Sequence, residues 1–147
     1  MTIKEDVLSR MHVLLGGVDG IKTVLRDVDE FPDVARPTVI LLAGDTEAVP
    51  EFQRSWVKGE VPIMVDMRPV VLLLVSGDQA TVGADTDELE GRIIKAIMSD
   101  ATLPTLISRP GGVYYDRSDY RLSHDLAMAC DVQIQFRVRT AIYPNHP

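Results

Sequence analysis

Asp131-Val132-Gln133-Ile134-Gln135-Phe136-Arg137-Val138-Arg139 alternates polar and apolar residues without a break. Successive side chains of a β-strand point to opposite faces, so this spacing predicts a strand with Val132, Ile134, Phe136 and Val138 in a core. The other face carries Gln133, Gln135, Arg137 and Arg139, groups able to hydrogen-bond a partner without a large desolvation cost. That face reads either as a docking surface or as the solvated side of an outer strand in an antiparallel sheet.

Working back along the chain, Val70-Val71-Leu72-Leu73-Leu74-Val75 is apolar at every position and predicts a central strand buried on both faces. Pro69 is acceptable where it stands, at a strand start. Further strands are expected at 21–26, 38–43, 61–66 and 113–116, the last followed by a charged connection. Ile3, Val7, Leu8, Met11, Leu14, Leu15 and Val18 recur at helical spacing, with Thr2 and Glu5 as a capping box and Gly16-Gly17 as the stop. A second helix is expected from Asp85 to Ser99, with Leu89, Ile93, Ala96 and Ile97 as its stripe and Glu88 paired to Arg92. A short helical turn capped by Thr102 follows. The order of elements predicts one α+β domain over 1–147: a single mixed or antiparallel sheet with two helices on one face.

Residues 45–66 stand apart as a long excursion, a loop or the tip of a β-hairpin, rich in charge and proline and holding the only tryptophan, Trp56. Loops this long are uncommon unless they have work to do. Trp56 can anchor the excursion to its own domain or insert into a neighbour.

At 147 residues and 46% hydrophobic the chain is long enough for a real core. A net charge of −7 argues against general affinity for nucleic-acid backbones. Cys130, the single cysteine, excludes an internal disulfide and reads as a structural thiol in a reducing compartment. No apolar run reaches membrane-spanning length, and the charged start is unlike a secretory signal, so a soluble, intracellularly made protein is expected.

Catalytic signatures are weak. Gly16, Gly17 and Gly20 follow a helix rather than join a strand to one, which removes phosphate-loop and dinucleotide readings. His12, His124 and His146 lack the spacing of metal ligands, and no metal or cofactor is expected. His124 and Asp125 would point to opposite faces of a strand. Tyr114, Tyr115 and Tyr120 lie among Asp116, Arg117, Asp119 and Arg121, whose charges cancel, so a solvated hairpin or subunit contact fits better than a nucleic-acid surface. No enzymatic activity is expected.

Pro37 to Asp45, Met67-Arg68-Pro69 ahead of a buried strand, Arg92 to Ile97 with Asp100 and Leu103 after it, and the long alternating C-terminal strand together resemble the tail terminator (tail completion) proteins of long-tailed bacteriophages and related gene transfer agents. The resemblance runs through most of the chain in order. It implies a small virion subunit, assembled in the host cytoplasm, that forms a hexameric ring at the head-proximal end of the tail. There it stops polymerisation of the tail tube protein and meets the head connector or stopper protein, while DNA passes through without specific binding. The family brings no catalytic residues. Connector and tube subunits share much of this pattern, and a small ligand-binding or enzymatic domain using Tyr114 to Asp125 is the alternative of another class. For subunit contacts the candidates are Trp56, Gln133, Gln135, Arg137 and Arg139. Charge reversal of Arg137 and Arg139 is expected to abolish assembly and leave a folded monomer. Acidic loops able to repel passing phosphates are Asp27, Asp29, Glu30 and Asp33, or Asp45, Glu47 and Glu51.

Overall fold

The computed structural model describes residues 2–28, 36–49, 63–77, 80–108, 111–123 and 129–142, without the side chains of 122, 123, 129 and 130. Two helices, α1 (Ile3–Gly16) and α2 (Val82–Met98), cover one face of a seven-stranded sheet. Its strands are β1 (Thr23–Arg26), β2 (Thr38–Leu42), β3 (Thr46–Ala48), β4 (Ile63–Met67), β5 (Val70–Ser76), β6 (Gly112–Ser123) and β7 (Ala129–Ile142). Among the described strands the β1–β2 pair alone is parallel, and the other pairings are antiparallel.

β7 organises the sheet. Its alternation places Val132, Ile134, Phe136 and Val138, all fully buried, beneath the helices. It is a central strand rather than the outer strand its polar face allowed: β6 runs along one side, and β5 and β4 lie end to end along the other. β4 and β5 keep a single register against β7, from Ile63 opposite Ile142 to Ser76 opposite Ala129. They are one strand interrupted at Arg68-Pro69, because proline has no N–H for the ladder. Pro69 still accepts the Phe136 N–H at 3.0 Å, which carries the pairing across the gap. The expected central strand is therefore half of a longer ribbon.

Each helix buries the stripe its spacing predicts. Val7, Leu8, Met11 and Leu15 of α1 join Leu89, Ile93 and Ile97 of α2 in one core with Val39, Leu41, Val71 and Leu73. Thr2 Oγ1 accepts the Glu5 N–H, as a capping box requires, but the Glu5 carboxylate turns away to Arg26. α2 begins at Val82, a turn earlier than its acidic residues suggest, and Arg92 pairs with Glu88 at 2.5 Å. After α2 a 3₁₀ turn, Leu103–Leu106, lays Leu103 into the core. Asp100 caps it in place of Thr102, accepting the Leu103 N–H at 2.9 Å while held by Arg10. The charged stretch 117–123 is strand, not connection, because β7 is long enough to pair with β6 to its end.

Candidate functional site

Three interruptions line up across the sheet, two of them shifts of register. Three residues, Ala43 to Asp45, separate β2 from β3, whereas two, Arg68 and Pro69, separate the strands they pair with. Gly44 is the reason the extra residue fits. Its φ is +68°, and a Cβ there would stand 1.8 Å from the Arg68 carbonyl oxygen, so only glycine can occupy the site. Asp45 O accepts the Arg68 N–H at 2.8 Å and locks the break. On β6 the pairing shifts by one between Tyr115 and Arg117, leaving Asp116 as a bulge opposite the same level of β7.

A network of charges covers this line on the face away from the helices. Arg139 grips Asp66 with two bonds, 2.8 and 2.9 Å, and Arg137 stands 4.0 Å from the same carboxylate. Arg137 also approaches Asp116 at 3.4 Å and lies over the Tyr114 ring at 4.6 Å. Arg68 reaches Asp116 at 3.2 Å and Glu47 at 3.8 Å. Further along, Asp119 accepts from both Arg117 and Gln135. Asp66 is the buried centre, its side chain 8% exposed. The Arg139 bonds hold its carboxyl well below the usual range, aided by Arg137 and Arg68 and opposed by burial.

The sequence-derived contact residues fall here in part. Gln135, Arg137 and Arg139 are half-buried and engaged within the chain; Gln133 lies beside them, facing Leu72 on one side and Asp119 on the other. Trp56, Asp29, Glu30, Asp33 and Glu51 lie outside the described residues, as do His124 and Asp125. Of the two loops offered as alternatives, Asp27 closes β1 beside Ala43, and Asp45 and Glu47 stand two and four residues further along the chain from Ala43, at the start of β3. The link is Asp27, whose carboxylate accepts the Ala43 N–H and whose own N–H donates to Leu41 O. All three are exposed.

Asp66 was not among the candidates, Arg68 entered only as part of the Met67-Arg68-Pro69 motif, and Asp116 only as one charge in a stretch read as a solvated hairpin or subunit contact. A signal existed: one carboxylate inside Ile63-Met64-Val65-Asp66-Met67 is a charge on a strand that is otherwise apolar, and a buried charge requires a partner. Asp116 had none, since a bulge is not visible until the strands are paired.

Among the described residues no cluster of three or more metal-ligating side chains occurs. A shallow dip lined by Lys4, Val7, Leu8, Ala43, Met67 and Pro69 sits under the start of α1 and has no room for a water molecule. No described helix is long and apolar enough to cross a membrane.

No protein-family model matches the chain, and no curated protein matches it. Among solved structures, a chain of the virion of a native gene transfer agent (GTA) particle aligns over 95% of this chain and 92% of its own. The identity is 12% and the TM-score 0.41. This is a likeness of outline, too loose to transfer any property.

Proposed function

We propose that the protein is a structural, non-catalytic virion component that forms a hexameric ring at the head-proximal end of a phage or gene-transfer-agent tail. In that role it ends polymerisation of the tail tube and joins the tail to the head connector. The observation that carries the reading is β6, a twelve-residue strand at the end of the sheet that pairs only with β7 among the described residues. A strand edge of that length is a template for another chain. Its faces present exposed aromatic surface, Tyr114 on one side and Tyr115 on the other, which favours contact with protein.

The resemblance read from the sequence supplies the particular role. Its motifs sit at structural junctions: Gly44-Asp45 against Arg68, and Asp100 under Leu103. Asp27, Asp45 and Glu47 would face the lumen and repel passing DNA. The test adds purified protein to polymerising tail tubes and measures their length. Tubes that stop at the moment of addition, with the protein at one end, support the terminator role. Incorporation along the tube would make it a tube subunit, and continued growth without incorporation would reject the reading.

A further inference from the structure

We propose that the Asp66-centred ion network is a latch that fixes one part of the sheet, an arm, against the rest. The arm comprises β3, β4, residues 138–142 of β7 and residues 112–115 of β6. The body comprises β1, β2, β5 and the remainder of β6 and β7. Among the described strands only β7 crosses the boundary unbroken; β2 gives way to β3 at Gly44, β4 to β5 at Pro69, and β6 bulges at Asp116. Each break removes or displaces ladder bonds, so the sheet is weakest in backbone pairing along this line.

Side chains make good the loss on both faces. On the helix-free face Arg68 joins Glu47 of the arm to Asp116 of the body, and Arg137 of the body stands 4.0 Å from Asp66 of the arm, while the Asp66–Arg139 pair lies within the arm and holds that carboxylate in place. On the other face Lys4 of α1 donates to Gly44 O at 3.5 Å and Thr46 Oγ1 at 3.1 Å. Within the network three arginines face three carboxylates, and Asp66 is the one held out of water. Removing its charge leaves Arg68, Arg137 and Arg139 against two more exposed carboxylates. The arm then loses its fixed angle, although Val65, Met67 and Val138 keep it packed in the helix-covered core it shares with the body. The latch needs only the fold, and stands whatever the protein assembles with.

Hydrogen exchange of the intact protein tests it, read as the ratio of variant to wild-type rates in arm amides (63–67, 138–142) and body amides (71–75, 130–134). Asp66→Asn is expected to accelerate the arm about tenfold or more over the body, the loss of charge-assisted bonds appearing as local opening. Arg68→Gln, at a half-exposed position, shifts the arm in the same direction by a smaller factor. Arg68→Gln decides the matter, because Arg68 joins Glu47 of the arm to Asp116 of the body, whereas the Asp66–Arg139 bonds lie within the arm. Equal acceleration of both halves, or no change in either, would overturn the latch.

Discussion

Asp66 and its arginines turn the most legible feature of the chain into something its pattern did not show. The alternation of β7 placed Arg137 and Arg139 correctly on the polar face, yet what they meet there is set by β4 and β6, distant in sequence. Asp66→Ala is expected to cost about 2 kcal/mol in chemical denaturation, below the 3–5 kcal/mol of a fully buried pair. The discount follows from Arg139, whose side chain stays 26% exposed and keeps part of its hydration. Charge reversal of Arg137 and Arg139 would set two carboxylates beside Asp66, so the arm itself is expected to loosen. Loss of assembly in that variant would not by itself prove an interface. Gly44→Ala is expected to lose at least about 2 kcal/mol, since a positive φ and a backbone clash coincide. A melting curve unchanged by that substitution would refute the strand break as described.

At the level of elements, the helices and the core strands were readable because each has one apolar face and a period to match. What the sequence left hidden were the joins. Pro69 marked a strand start but not that β4 and β5 share one register, and 117–123 looked like a connection because its charges outnumber its apolar residues. Pairing to β7 overrides that local preference. The cap of the 3₁₀ turn moved from Thr102 to Asp100, whose carboxylate the Arg10 bonds hold below its usual range. Asp100→Ala therefore loses a cap and a tether together, and about 1–2 kcal/mol of stability is expected from loss of the cap. Deleting Asp116 should leave the facing of every other β6 residue intact, because the bulge is the one unpaired position. A folded deletion variant that keeps Tyr115 against Phe136, now 6.0 Å apart, would bear this out in side-chain NMR contacts.

For the molecule as a whole, arginine pairs fasten the layers as well as the arm. Arg26 pulls the Glu5 carboxyl down to about 2, with Ser9 helping and burial opposing. Asp66 and Asp100 are lowered by Arg139 and Arg10 in the same way. All three are depressed in the folded state, so their stabilisation is complete above the unfolded values near 4 and is lost as pH falls through the folded ones. The melting temperature should be level from pH 7 to about 5 and drop below about pH 4. The α+β architecture with two helices on one face of a single sheet was open to sequence reasoning, since periodicity fixes which faces are buried. The proposed role rests on resemblance, since a paired, charge-neutral surface has no chemical signature of its own. The mass of the purified protein by light scattering, alone and mixed with tail tubes, tests the central claim most directly. A discrete six-chain species, or a monomer that caps tubes and halts their growth, is the predicted result; a monomer indifferent to tubes would contradict it.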